Sequence, residues 1–307
     1  MRTIIQLIFM YTHKNIQAAI YDIRSSMSVF SGEGCAEHLD NVLTSDVSKL
    51  SDTERIDGLV CDSNGRVTDI ISCFGIGSEI LILGIYENME MTRGLLTKGI
   101  PWDRELLLYD GNDALRHCLI HGEGAMEMLG VLYPEISAIP NNSFVTVGDV
   151  IISKNTIFGE GNIDVIHRVD DDSFIQRVMS NNIGIRTSVE WESVRIGSGY
   201  PSENEADSTR LPTDIGMGKL VSLNKGCYPG QEIHARLDSR GSTKRHMVSI
   251  SCSEPIVLGK QKLDNGLTVH VTSTVELGDM YMALAIVPIE IEGGYVKTAS
   301  GEKFEIM

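Results

Sequence analysis

At 307 residues and 33.7 kDa the chain can hold two or three domains with cores of their own, and 42% hydrophobic residues with a mean hydropathy of −0.01 describe an ordinary globule. A formal net charge of −16 repels phosphate backbones, which argues against broad nucleic-acid binding. The longest apolar run, Ile80-Leu81-Ile82-Leu83, is far too short to cross a bilayer, and six scattered cysteines without a CxxC pair suit reduced thiols in a cytoplasm.

The N-terminal stretch MRTIIQLIFMYTHKN has an apolar patch but no small-residue cleavage site, so it reads as a first strand. Two segments, Gly32 to Leu39 and Gly122 to Leu129, share the pattern GEGxxExL. Each follows a short apolar segment and opens an amphipathic one, which predicts strand, tight turn and helix, and hence two related halves. Between them, Leu59-Val60-Cys61, the turn Asp62-Ser63-Asn64-Gly65 and Val67 to Phe74 predict a hairpin. Glu79 to Ile85 is a third strand buried on both faces, and residues 88–99 are helical. His117, Cys118 and His121 have a spacing that suits one helical face, but without further ligands nearby no metal site is expected.

Further on, Phe144 to Val150, Ile151-Ile152 and Ile163 to His167 are strand-like. Asp170-Asp171-Asp172-Ser173 caps a helix presenting Phe174, Ile175, Val178 and Met179, and Thr187 with Glu190 forms a capping box for a helix carrying Trp191 and Val194. Residues 202–214 are polar and turn-rich, a surface loop by composition. From Lys244 onward the pattern is short strands separated by Gly, Asn and Pro, a small all-β unit.

The octet Lys225-Gly226-Cys227-Tyr228-Pro229-Gly230-Gln231-Glu232 concentrates chemically capable groups. A lysine near a cysteine favours the nucleophilic thiolate, the glycines permit close backbone approach, and Gln231 with Glu232 suits a heterocycle bearing donors and acceptors. A tight turn around a buried cysteine remains the plainer alternative. Residues 225–246 carry five cations against two anions, an island that suits an anionic small ligand or, more simply, an exposed hairpin. Asp69 stands in an otherwise apolar strand, either as a working carboxylate or as an outward-facing polar residue.

The octet resembles the KGCYxGQE signature of the YgfZ-type folate-binding proteins, relatives of the glycine-cleavage T-protein, and Ala235-Arg236 with Arg240-Gly241 resembles their downstream extension. Gly65-Arg66-Val67-Thr68-Asp69 resembles the T-protein segment whose aspartate lies beside the folate. The resemblance implies an α+β fold of mainly antiparallel sheets, with residues 1–243 forming two related folate-binding subdomains and 244–307 a C-terminal β-barrel. It implies tetrahydrofolate or a one-carbon derivative as ligand, with Cys227 and Asp69 as the working residues. Lys225, Gly226, Tyr228, Gly230, Gln231, Glu232 and Arg195 would contact the ligand, with Arg236 or Arg240 on its glutamyl tail. The implied role is support of iron–sulfur cluster assembly or repair in client proteins. A one-carbon transferase is the second reading, supported by Asp69. Against it, Arg195-Ile196-Gly197-Ser198-Gly199 puts glycine where the T-protein has its pterin-gripping glutamate, and Thr44-Ser45-Asp46 and Phe158-Gly159-Glu160-Gly161 also depart from the T-protein pattern.

Overall fold

Two strand–glycine–helix units organise the first two sheets. In the computed structural model, which describes residues 18–122, 124–159, 161–181, 183–241, 243–291, 293–298, 301 and 303–307, β2 (Ser25–Ser31) turns at Gly32 into α1 (Cys35–Asp40). β7 (Leu115–His121) turns at Gly122 into α3 (Ala125–Leu132) in the same way. Gly32 has φ +121° and Gly122 φ +147°, backbone that side chains rarely allow, so the repeated glycine is what each tight turn requires. The N-terminal strand expected in residues 1–15 lies outside the described residues, as does Glu123 of the second repeat.

The first unit belongs to a sheet ordered β3-β4-β5-β2-β6, built from β3 (Arg55–Cys61), β4 (Val67–Ile76), β5 (Glu79–Ile85), β2 and β6 (Leu107–Asp110). All its pairings are antiparallel. The expected hairpin forms β3 and β4. The Asp62 carboxylate takes the amides of Asn64 and Arg66, and Gly65 turns at φ +71°. β5 is covered on both sides as its unbroken apolar run required: Ile80 and Ile82 join the core over α1, while Leu81 and Leu83 pack on Phe144 and Ile166 of the second sheet. The helix expected at 88–99 is α2 (Met89–Leu96).

The second sheet runs β11-β1-β7-β10-β9-β8, from β1 (Ala19–Ile23), β7, β8 (Phe144–Val147), β9 (Val150–Lys154), β10 (Asn162–Arg168) and β11 (Gly184–Arg186), with one parallel pairing, β1 to β11. α3 and α4 (Ser173–Met179) cover it through Leu129, Phe174, Ile175 and Val178. α5 (Ser188–Gly197) starts at the expected Thr187/Glu190 capping box. His117, Cys118 and His121 lie on strand β7 rather than a helix, with pairing to β1 and β10 deciding the conformation. No metal-competent group of ligands occurs among the described residues.

The third sheet is ordered β13-β14-β15-β12-β17-β16, all after residue 244, and curls into a half-barrel. Its strands are β12 (Arg245–Cys252), β13 (Gly259–Lys262), β14 (Thr268–Leu277), β15 (Met280–Pro288), β16 (Gly294–Lys297) and β17 (Lys303–Ile306). α5 rests on it through Ile196 against Val275, Met282 and Leu284.

Two expectations fail here. Residues 202–214 are no free surface loop: Glu205 and Ala206 are wholly buried, and Arg210 nearly so. The Glu205 carboxylate accepts from the Ser202 amide and hydroxyl and from the Ser273 hydroxyl, drawing the loop between α5 and β14. The basic window is no hairpin either, for residues Gln231–Arg240 form helix α6. Left-handed glycines bracket it, Gly230 at φ +81° and Gly241 at φ +65°, and a Glu232–Arg236 pair spans one turn. Among the described residues, no helix is long and apolar enough to cross a membrane.

Candidate functional site

Where the two α/β sheets meet α5, the chain leaves a half-open cavity of about 290 Å³. Its floor is polar and buried. Arg55, on β3, is 2% exposed and donates to Asp57 (2.8 Å), to Asp164 on β10 (2.6 Å), to Ser72 (3.0 Å) and to the Lys154 carbonyl (3.1 Å). The other Asp164 oxygen meets His117 Nε2 at 3.0 Å and accepts from Asn155 at 3.1 Å, while His117 Nδ1 reaches the Ser25 hydroxyl at 2.8 Å. Burial alone would raise the Asp164 carboxyl, but Arg55 and His117 outweigh it and hold it well below the usual carboxylate range. Ser25, Ser72, His117, Asn155 and Asp164 all line the cavity, so a fixed set of donors and acceptors faces its interior.

One wall is aromatic. Trp191 stacks on Phe158 with centroids 5.1 Å apart, Phe158 meets Tyr200 at 4.4 Å, and all three line the cavity. Aromatic side chains and fixed polar groups lining one cavity can together orient a planar heteroaromatic ring.

Among the expected site residues, Arg195 lines this cavity. Its guanidinium is nearly buried and fully engaged, forked onto Glu192 at 3.0 and 2.6 Å and donating to the Tyr200 carbonyl at 2.7 Å, with Glu205 at 3.5 Å. Glu192, five residues before Gly197, also lines the cavity, so α5 does supply a carboxylate, from a different position.

Asp69 is neither outward-facing nor on the cavity surface; it is fully buried, just behind the wall. It accepts from the amides of Ile70 (2.7 Å) and Ile85 (3.0 Å) and from the Thr92 hydroxyl (2.6 Å), tying β4, β5 and α2 together. Its immediate neighbours Ile70, Gly84 and Ile85 form the lining instead. Burial pushes its carboxyl up to about 7, against those three hydrogen bonds.

The octet lies elsewhere: none of its residues lines the cavity. Cys227 is exposed, so the buried-cysteine alternative fails. Lys225 is not a free cation beside the thiol, because its ammonium donates to the carbonyls of Asp40 (2.6 Å), Leu43 (2.9 Å) and Ser45 (2.7 Å) and pairs with the Asp40 carboxylate (2.7 Å). It staples the octet to the chain following α1. Gly230 packs directly on Gly65 of the hairpin turn, and a Cβ on either glycine would collide. His234 Nε2 meets the Gly65 carbonyl at 2.9 Å, and the buried Tyr228 hydroxyl lies 3.4 Å from His234 Nδ1. Gln231 lies near the Lys225 carbonyl at 3.5 Å, Gly226 is exposed, and Glu232 is taken by Arg236 at 2.9 Å. Arg240 is exposed at the end of α6. Segments near residues 65 and 230 therefore do converge, on a tightly packed joint outside the cavity described above; a second cavity of about 380 Å³ opens on the other side of His234, between α6 and residues 212–223.

Reasoning from sequence missed Arg55, Asn155 and Asp164 and weighed His117 only as a metal ligand, because their roles depend on cross-strand register. Trp191 had a signal, being one of two tryptophans and placed three residues inside a capped helix.

In sequence the chain is similar to YgfZ proteins, and it has the fold of the glycine-cleavage T-protein. It is 23% identical over 236 residues to a protein of Klebsiella pneumoniae named as tRNA-modifying protein YgfZ, covering 74% of this chain and 69% of that one. An aminomethyltransferase of Clostridium botulinum is 20% identical over 282 residues, covering 85% and 72% of the two chains. The crystal structure of aminomethyltransferase T from Bartonella henselae superposes with a TM-score of 0.79 at 16% identity, covering 96% of this chain and 86% of that one. The chain spans about two thirds of the YgfZ relatives it matches, 65–69% of their length. None of the family profiles compared with the chain matches it.

Proposed function

We propose that this protein binds a reduced folate, with the pterin ring in the cavity between the two α/β sheets, and supports iron–sulfur cluster assembly or repair in client proteins through Cys227. The observation that carries the ligand is that the Trp191–Phe158–Tyr200 cluster and the Asp164–His117–Asn155 cluster line one cavity. At about 290 Å³ the cavity is at the small end of ligand pockets, which run roughly 300–1,000 Å³, so it suits the ring while the tail leaves through the rim. Asp164, held ionised by Arg55, accepts from ring N–H groups, and Asn155 adds an amide edge.

The cysteine role rests on exposure and on YgfZ-like sequence. Cys227 is displayed between two anchors, the Lys225 staple and the Gly230–Gly65 joint, so a client can reach its sulfur without unfolding anything. We read residues 1–243 as the folate-binding part and 244–307 as its covering β unit, and place the protein in the cytoplasm.

A one-carbon transferase is the second reading, and the buried Asp69, protonated over a usable pH range, favours it. Titration calorimetry with tetrahydrofolate on wild type and Trp191→Leu tests the ligand: the variant should bind about tenfold more weakly. Cys227→Ala should leave that affinity intact while lowering the activity of cluster-dependent enzymes in cells. Absence of heat with wild type would end the folate reading. Transfer of a one-carbon unit to an amine acceptor, abolished in Asp69→Asn, would favour the transferase.

A further inference from the structure

The rim of the cavity is unlike its floor. Its exposed charged lining residues are Asp22, Arg24 and Glu87, and the half-buried Glu192 and Glu203 stand behind them. Glu192 is committed to Arg195, itself engaged on every side. Asp22 lies 3.7 Å from Arg116, an exposed and therefore weak pairing. Glu87 and Glu203 add negative charge beside the opening. Arg24 is the one exposed cation lining the cavity among the described residues, and its guanidinium lies 3.7 Å from the centre of the Tyr86 ring. Stacking leaves the guanidinium's edge donors open while fixing its plane. The basic groups of α6, which the sequence resemblance matches to a glutamyl tail, do not line this cavity.

We infer that Arg24 is the specificity-determining residue of the rim: it takes the terminal carboxylate of a monoglutamyl folate, and the surrounding carboxylates select against polyglutamyl tails. This rests on the folate reading above and names the form of folate the site prefers. A single glutamate places two carboxylates at the opening, one of which Arg24 can meet in a forked geometry. Each further glutamate adds a charge that must pass Glu87, Glu203 and Asp22, where Arg116 already faces Asp22 and no exposed cation other than Arg24 lines the cavity among the described residues, on a chain whose net charge is already −16.

The test is a binding titration with monoglutamyl and pentaglutamyl tetrahydrofolate at equal ionic strength. Wild type should bind the monoglutamate about tenfold more tightly, a gap that narrows with salt. Arg24→Gln should weaken monoglutamate binding about tenfold, and Arg24→Lys should recover part of it. Glu87→Gln combined with Glu203→Gln should bring the pentaglutamate to within roughly threefold of the monoglutamate, while Arg236→Gln with Arg240→Gln should change neither. Equal or tighter binding of the pentaglutamate by wild type, or an Arg24→Gln protein that binds normally, overturns the inference and leaves the folate reading standing. If neither form binds, the folate reading falls and takes this one with it.

Discussion

Asp69→Asn should flatten the dependence of stability on pH. Asp69 is fully buried, and burial pushes its carboxyl up to about 7. In the unfolded chain the same group titrates near its ordinary value of about 3.9. Over roughly pH 4 to 7 the folded state therefore keeps a proton that the unfolded state has released. The stabilisation is complete below the unfolded value and is lost as pH rises through the folded one. Each pH unit is worth about 1.36 kcal/mol, so between about pH 5 and pH 8 the wild type should lose about 3 kcal/mol relative to the variant. Asparagine has nearly the same shape and can donate to the Thr92 hydroxyl while its oxygen accepts from the Ile70 and Ile85 amides, so the comparison isolates titration from packing. Urea unfolding of both proteins across that range measures it, as the difference cancels every other titrating group. Parallel curves would refute the reasoning, since they would mean that the carboxyl finds water or a cation in the folded state.

Three further outcomes follow from the octet. Lys225→Met leaves the largely buried Asp40 carboxylate and three carbonyls without their donor, which should cost about 3–5 kcal/mol and lower the thermal midpoint. Gly230→Ala drives a Cβ into Gly65 at φ +81°, so a loss of about 2 kcal/mol or more is expected, read by the same thermal scan. Under native conditions iodoacetamide should label Cys227 well before Cys35, Cys61, Cys73 and Cys118, all buried, the thiols of Cys61 and Cys118 pushed up to about 12. Mass spectrometry after partial reaction decides this, and equal labelling of a buried thiol would contradict the packing.

What the sequence made legible was local. The GEG turns, the Asp62–Gly65 hairpin, the apolar run of β5 and the Thr187–Glu190 box each carry their own physics within ten residues, and each appears where expected. Helix α6 was hidden because its only sizeable apolar residues are Ile233 and Leu237, too few for a periodic signal. The 202–214 loop misled because polar composition was equated with exposure, whereas Glu205 is buried through partners at positions 195, 202 and 273. The cavity floor was out of reach for the same reason: Arg55, His117 and Asp164 meet only after β3, β7 and β10 are placed in register.

The separation of octet and cavity bears on mechanism. Strand β4 leaves the Gly65 joint and reaches the cavity lining at Ile70, a run of five residues that spans about 16 Å at strand rise. Between the two, β4 is held in place by Asp69, which is clamped to β5 and α2. No octet residue lines the cavity, so direct chemistry between a ring-borne one-carbon unit and Cys227 would require the two to be brought together by movement of the chain. The static arrangement instead favours two faces with separate tasks: a pocket that is filled or empty, and a displayed thiol whose partner arrives from outside. If so, saturating tetrahydrofolate should leave the alkylation rate of Cys227 within about twofold of its unliganded value, because the ligand neither covers nor ionises the sulfur. Full protection of Cys227 by folate would show that the two faces close on one another.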